Sequence, residues 1–220
     1  MKKKITLIVF ALFSICTLHV KAQEEKKSSF SVGADIYNNY VWRGTKLGTG
    51  PAFQPSVKFN TGGLTIGVWG SFDASGYTEA DPYISYAFSN GLSIGLTDYY
   101  FPSLGGSFAA DSANAYEINL GFSKGGLSLS ANYILNEAEL PASAGKDMYF
   151  QAGYAFPTFN VSVGAGDGWH TSDSEFNVCH VAIGTGKVIK ISDSFSIPVT
   201  GQVIVNPEKN LLYLVVGFSL

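Results

Sequence analysis

The chain is built from short stretches in which apolar and polar residues alternate. The last ten residues are a strict example, because the even-numbered positions from Leu212 to Leu220 are all apolar. Strict alternation predicts a β-strand with one face turned to an apolar environment. Since chain termini fray unless they are paired, we expect this last strand to pair with the first strand and close a barrel.

The same alternation recurs in about twelve stretches, and the first of them covers residues 30–43. Tight turns such as residues 60–63 and 89–91 alternate with longer polar loops such as residues 44–50 and 102–115. Short periplasmic turns, longer outer loops and an even strand number are typical of outer-membrane barrels. The pattern therefore predicts an all-β fold, a transmembrane antiparallel up-and-down β-barrel of about twelve strands.

A secreted, soluble β-sandwich is the main alternative, since it also alternates and also has glycine-rich turns. However, the polar phase of these strands is rich in Gly, Ser, Thr, Asn and Gln rather than in Lys and Glu. Aromatic residues, among them Tyr40, Trp42 and Phe218, also recur on the apolar phase at strand ends, as they do in membrane girdles. Both features favour the barrel.

The N-terminus has the features of a secretory signal peptide. Three lysines precede an apolar core at residues 5–18, and a small-residue cleavage site ends at Ala22. We therefore predict a leader at residues 1–22 and one barrel domain at residues 23–220, exported to the cell outer membrane. No other stretch is long and apolar enough to span a membrane as a helix.

Charge and cysteine content narrow the function classes. Without the four lysines of the leader, ten basic residues face 17 acidic ones, a net charge of −7. This balance argues against binding to nucleic acid through a basic patch. Cys179 is the one cysteine after residue 22, so no internal disulfide is expected. We expect outer-membrane lipid to supply part of the stabilising environment.

Arg43 is the only arginine of the chain, and it falls on the inward phase near the outer end of the first predicted strand. It could bind an anionic solute at a pore mouth, or pair with an inward acid such as Asp35, Asp81 or Glu117. The structural ion pair is the favoured interpretation. The candidate pore-lining residues share the inward phase: Arg43, Asp35, Tyr37, Asn39, Lys58, Asp81, Tyr83, Glu117, Asn119, Tyr149 and Gln151.

Enzymatic chemistry has little support in the sequence. A twelve-stranded lipid-modifying enzyme would need a serine and a histidine on one lipid-facing patch, and no Gly-x-Ser-x-Gly turn is present. We expect His170 in an outer loop and His180 packed in the lumen, beside a bulge at Cys179. Neighbouring strand residues face opposite sides, so a metal site at Cys179 and His180 is not expected. We predict no enzymatic activity, no metal and no cofactor.

Residues 40–44, Tyr-Val-Trp-Arg-Gly, and residues 50–56 resemble segments of a family of small outer-membrane barrels known as TorF-type porins, found in Bacteroidota-like Gram-negative bacteria. Residues 97–103 and 190–207 also look like segments of that family. The resemblance covers the chain after the leader. It implies an outer-membrane barrel of porin type and leaves the solute unnamed.

We therefore expect passive diffusion of small hydrophilic solutes through a narrow polar lumen with a weak preference for cations. Inward aromatic residues could close that lumen: Tyr37, Trp69, Tyr83, Tyr99 and Tyr149. The alternative is a closed barrel that serves as an accessory subunit and binds another outer-membrane protein. An outer-membrane lipid-modifying enzyme is a more distant alternative.

Overall fold

A computed structural model describes residues 28–105, 107–108, 110, 113–139 and 141–220. Twelve of its strands close into an antiparallel barrel, as predicted, and two more form a separate small sheet. The predicted leader lies outside the described residues. Within those residues, no helix is long and apolar enough to cross a membrane. The strands are β1 (Ser29–Tyr37), β2 (Tyr40–Trp42), β3 (Thr45–Leu47), β4 (Ala52–Thr61), β5 (Leu64–Asp73), β6 (Thr78–Ala87), β7 (Leu92–Tyr100), β8 (Asn114–Lys124), β9 (Leu127–Ile134), β10 (Met148–Ala155), β11 (Asn160–Gly166), β12 (Asn177–Lys190), β13 (Ser196–Asn206) and β14 (Leu211–Ser219).

The barrel closes where β14 meets β1. Asp35, Ile36 and Tyr37 pair with Ser219, Phe218 and Gly217. Ten further pairings join strands that are consecutive in the chain, from β4–β5 to β13–β14. β1 pairs with β4 because β2 and β3 lie outside the wall. The strand predicted from the last ten residues therefore pairs with the first strand, and the up-and-down topology is confirmed.

The outer face of the barrel is apolar. In the middle of the strands its side chains are aliphatic, as at Leu96, Leu129 and Ile183, which are all exposed. Near the short turns the exposed side chains become aromatic, with Tyr154 and Phe156 in contact at 4.7 Å between ring centroids. An aliphatic band bordered by aromatic residues is the lipid-facing surface of an outer-membrane-type barrel.

Tyrosines on the inner face lie against glycines of neighbouring strands. Tyr83 pairs with Gly67, where a side-chain carbon would lie 2.6 Å from the tyrosine hydroxyl. Tyr37 packs in the same way against Gly217. A ring in this position covers the backbone of the wall instead of crossing the lumen. Inward tyrosines at these two positions therefore do not close the barrel, contrary to our expectation.

The first predicted strand was too long. β1 ends at Tyr37, and the chain then turns into the barrel and forms the β2–β3 hairpin. Asn38 and Asn39 cause the turn, because their side-chain amides both donate to the backbone oxygen of Leu214. The Asn38 backbone amide still donates to Val216 of β14 at 3.0 Å, and beyond this bond the two side chains take the place of backbone pairing. Residues 40–47, called the inward hairpin below, thereby leave the wall.

β12 contains the bulge that its interrupted alternation predicts. Gly164 of β11 pairs with His180 while Ala165 pairs with Val178, so Cys179 is the extra residue of the bulged strand. Cys179 and His180 are both buried, whereas Val178 and Val181 are exposed on the lipid side. The expectation that Cys179 and His180 face opposite sides is wrong, because a bulge turns two consecutive side chains to one face.

The assignment of faces can be tested at two adjacent residues of β9. We expect Leu129→Lys to lower the free energy of unfolding by about 2–4 kcal/mol, because it places an ammonium group in lipid. Ser130→Lys is the matched control, since Ser130 faces the lumen between Gly121 and Gln151. Unfolding by urea in lipid vesicles measures both. Equal losses for the two variants would contradict the assignment.

Candidate functional site

The inward hairpin crosses the lumen and ends in a two-residue turn. Trp42 pairs with Thr45, and the turn residues Arg43 and Gly44 both have positive φ, 49° and 82°. Two-residue hairpin turns of type I′ need positive φ at both positions. Gly44 packs directly against the backbone carbonyl of Cys179, so that no side-chain carbon fits there. The tip of the hairpin is thus seated on the wall at the bulge of β12, three strands from β1.

Polar contacts hold this tip from the side of β13. The Asn206 side-chain amide donates to the backbone oxygen of Gly44 at 3.1 Å. Lys209 Nζ lies 3.3 Å from Thr45 Oγ1 and donates to it. Val41 packs against the buried residues Ile204 and Val215. Both faces of the hairpin therefore have partners on the wall.

Arg43 makes a buried ion pair with Glu117 of β8. Arg43 Nη1 donates to Glu117 Oε2 at 2.6 Å and Nη2 donates to Oε1 at 2.8 Å. The side chains are 12% and 1% exposed, respectively. The Tyr99 hydroxyl and the Asn119 amide donate to the same Oε1 at 2.9 and 2.6 Å. A two-point pair with further donors is the geometry that makes a buried charge tolerable.

Aromatic rings enclose the guanidinium group. Its carbon lies 4.5 Å from the ring centre of Trp42 and 4.4 Å from that of Tyr149. Trp42 in turn contacts Tyr99 and Trp169 edge-on, with both ring centres 5.3 Å away. Cation–π contacts of this kind gain strength where water is excluded. These rings and the Arg43–Glu117 pair form one packed cluster inside the barrel, called the seal below.

His170 belongs to this seal. It ends a single helical turn, Gly168–His170, in the outer loop where we expected it, but its side chain is only 2% exposed. Trp169 Nε1 donates to His170 Nε2 at 2.9 Å, and Arg43 Nη1 lies 3.5 Å from the same nitrogen. Burial, together with the charges of Arg43 and Lys209, lowers the pKa of His170 to about 2. The imidazole is therefore neutral and acts as an acceptor.

The base of the hairpin is fixed by Asp73 at the end of β5. Its carboxylate accepts from the backbone amide of Thr49 at 2.8 Å, just after the hairpin. It also accepts from the amides of Ser75 and Tyr77, at 2.8 and 3.1 Å. One carboxylate thus joins the returning end of the hairpin to the loop between β5 and β6.

A cavity of about 210 Å³ lies between the hairpin and the inner face of the barrel wall. Its polar lining consists of the amides of Asn39, Gln54 and Gln202 and the phenols of Tyr37 and Tyr40. None of these side chains carries a charge at neutral pH. The space next to the seal therefore offers neutral hydrogen-bonding groups.

The predicted pore-lining residues occupy two different environments. Glu117 and Tyr149 are buried in the seal with Arg43, and Asp81 is buried close to Tyr40. Asn119 connects the seal to β9, because its amide also donates to Asn132. The remaining residues lie on the inner face of the wall or at the start of the turn to the hairpin: Asp35, Tyr37, Asn39, Lys58, Tyr83 and Gln151.

Several residues of the site escaped sequence reasoning. Tyr40 and Trp42 fit the alternation of β1, which places them on the lipid-facing side, yet both lie inside the barrel. Trp169 and Glu79 were not singled out either. The signal that could have found the hairpin is the pair Asn38–Asn39, because Asn favours turns and interrupts strands.

Ser162 and His180 form a pair on the inner face. Ser162 Oγ lies 3.0 Å from His180 Nε2, and within the described residues His180 Nδ1 has no hydrogen-bond partner. A serine nucleophile needs a third group that orients the histidine, and within the described residues no side chain bonds to His180 Nδ1 in this way. Among the described residues, no group of three or more His, Cys, Asp or Glu side chains could hold a metal ion.

Comparison with protein families gives one match. The model of the family Gcw_chp, a bacterial protein of unknown function, matches residues 21–196. The chain belongs to this family. The family description assigns no activity, and the resemblance to TorF-type porins stays a prediction. A search of the curated proteins found no match.

Solved outer-membrane barrels are similar to the chain at low identity. A mutant of the Rh. blastica porin is 14% identical with a TM-score of 0.42, over 77% of this chain and 55% of the porin. The chain thus spans just over half of the porin's length. An active-site mutant of outer membrane phospholipase A from Escherichia coli is 13% identical with a TM-score of 0.43, over 92% and 93% of the two chains. The Salmonella typhi phospholipase dimer with bound calcium is 13% identical with a TM-score of 0.42, over 91% and 93%.

Removing one partner of the buried ion pair should be costly. We expect Glu117→Gln to lower the free energy of unfolding by about 3–5 kcal/mol, because it leaves Arg43 buried without a counter-charge. Asp193→Asn is the control, since its pair with Lys190 is equally short but exposed, and we expect a change below about 1 kcal/mol. Urea unfolding in vesicles measures both variants. A small loss in Glu117→Gln would show that the seal does not depend on the pair.

His170 should make stability depend on pH. The unfolded chain binds a proton at His170 below about pH 6.5, while the folded chain stays unprotonated down to about pH 2. Acidification over this range therefore favours unfolding, by up to about 1.4 kcal/mol per pH unit. We expect His170→Gln to remove this part of the pH dependence and to leave stability above pH 7 less affected. Parallel stability curves for the two proteins between about pH 6 and pH 4 would refute the assignment.

Proposed function

We propose that the protein is an outer-membrane channel for the passive diffusion of small hydrophilic solutes, with the inward hairpin as its constriction. The observation that carries this proposal is that a hairpin outside the wall lies in the lumen and packs against several strands of the barrel. Tyr37 and Tyr83 lie against the wall, while the hairpin reaches from β5 at Trp69 to β8 at Glu117. A lumen closed by one hairpin can be opened without dismantling the barrel.

The chemistry of the inner face supports hydrophilic solutes. Between the seal and the short turns of the barrel, the inward side chains of β9 and β11 are Ser128, Ser130, Asn160 and Ser162. Small hydroxyl and amide groups leave room and offer hydrogen bonds to a polar solute. Asp35 and Lys58 place one charge of each sign on the inner face of β1 and β4, so strong selection by charge is not expected.

A closed barrel that serves as an accessory subunit is the second candidate. It is favoured by the number of anchors on the hairpin, which include the Arg43–Glu117 pair, the Asp73 carboxylate and the contact of Gly44 with Cys179. An element fixed at its tip and at its base could be a permanent plug. Such a barrel would act through its outer loops or its lipid face on another outer-membrane protein. Neither candidate requires enzymatic chemistry.

Single-channel recording distinguishes the two candidates. We expect the refolded protein in a planar bilayer to show small discrete steps, and Arg43→Ala to enlarge them by weakening the seal. Replacing residues 40–47 by a Gly/Ser linker of equal length should raise conductance further, at least about twofold, because the linker cannot rebuild the aromatic seal.

Lys190→Ala is the control for these recordings, since Lys190 is exposed in the short-turn region and bonds to Asp193. Heat-dependent migration on gels should confirm that every variant is folded. Silence from the folded linker variant would reject the channel and favour the accessory role.

A further inference from the structure

Two carboxyl groups are buried against the inward hairpin. Glu79 and Asp81 lie on the inner face of β6 and are 1% and 5% exposed. Tyr77 donates its hydroxyl to Glu79 Oε2 at 2.7 Å, and Tyr40 of the hairpin lies close to both carboxyls. The ring of Tyr40 is held by Trp69 and Tyr77, with ring centres 5.4 and 6.2 Å away. The pair is thus covered by the first residue of β2.

Within the part of the chain that the structure describes, no cation accompanies this pair. The ion pairs found there are Arg43–Glu117 and Lys190–Asp193, and both lie elsewhere. The groups that face the pair from the neighbouring elements are themselves phenols. They are Tyr40 from the hairpin, Tyr77 from the loop before β6, and Tyr99 from β7. Asp98 lies on the outward phase of β7 with Leu96 and adds a further acidic group from behind the wall.

The geometry implies a missing proton donor between the two carboxyls. Glu79 and Asp81 are buried side by side, two positions apart on the inner face of β6, and two ionised carboxylates cannot hydrogen-bond to each other, because both would be acceptors. Asp81 Oδ1 is buried without a hydrogen-bond partner among the described residues. A proton on one carboxyl would join the pair, and two adjacent negative charges in a dry site would repel.

We propose that a proton shared by Glu79 and Asp81 holds the inward hairpin in the lumen, and that loss of this proton at alkaline pH releases the hairpin. With both groups ionised, the pair must admit water, and the hairpin residue Tyr40 is the cover that has to move. This inference deepens the proposed channel function, but only its conductance readout rests on that function.

The chain contains its own reporter of hairpin release. Cys179 is fully buried, and the tip of the hairpin packs against its backbone at Gly44. Withdrawal of the hairpin exposes this thiol to a water-soluble maleimide. In a Cys16→Ser background, Cys179 is the only cysteine of the full chain. Its labelling rate therefore reports opening whether or not solutes pass.

The experiment compares labelling of wild-type Cys179 with that of Asp81→Asn and Glu79→Gln between about pH 6 and pH 9. Thiolate formation speeds labelling in all three proteins. The ratio of the wild-type labelling rate to the variant labelling rate therefore isolates the latch, which is the hold of the shared proton on the hairpin. If opening releases one proton, this ratio should rise about tenfold per pH unit until opening is complete. Each variant keeps a neutral hydrogen-bonding group and should hold the hairpin at every pH.

The outcomes separate the latch from the channel. A constant ratio across the pH range, with all proteins folded, would overturn the shared proton. Labelling that responds to calcium concentration at constant pH would also overturn it, because a metal ion would then occupy the site. If the ratio rises and conductance rises with it, both proposals are supported. If the ratio rises while the bilayer stays silent, the latch stands and the channel function fails.

Discussion

A buried positive charge dictates much of this structure. Arg43 is carried into the barrel by a hairpin, and a guanidinium group in a dry interior is stable only with a counter-charge and filled hydrogen bonds. Glu117 supplies the charge, while Tyr99 and Asn119 complete the hydrogen bonding of its carboxylate. The requirement extends outward, because His170 beside the guanidinium must stay neutral. The Arg43–Glu117 pair is therefore one of the contacts that hold the hairpin inside the barrel.

The barrel wall and the plug, which is the inward hairpin together with the seal, are stabilised by different interactions. The wall is stabilised by strand pairing and by an apolar surface in contact with lipid, and its tyrosines pack on glycines of adjacent strands. The plug is stabilised by a salt bridge, aromatic contacts and carboxyl groups, all inside the lumen. Because the two sets share few residues, a change in the plug can leave the closed barrel intact.

The wall could be predicted from the sequence, and the plug could not. Alternation is a local signal, so β4, β9 and β14 follow directly from residues that are close in the chain. The hairpin was not predicted, because Tyr40 and Trp42 continue the apolar phase of β1, and aromatic side chains suit both a lipid boundary and a buried cluster. The ion pair with Glu117 was among the alternatives, but its selection depends on residues 74 positions apart.

The bulge at β12 was anticipated from the slip in alternation at Cys179. Its contact with Gly44 was not anticipated, because a slip in alternation does not show which residues pack against the bulge. The burial of His170 was missed for the same reason, since a loop position in sequence gives no information about packing beneath the loop.

The contact between Gly44 and the bulge is made by backbone on backbone. The depth to which the hairpin enters is therefore limited at the point where the backbone of its turn meets the backbone of the wall. Side chains of the hairpin that take no part in this contact, such as Lys46, do not set this depth. The inner surface of such a barrel can accordingly acquire a different lining by substitution alone, while the fit of the hairpin against the wall is retained.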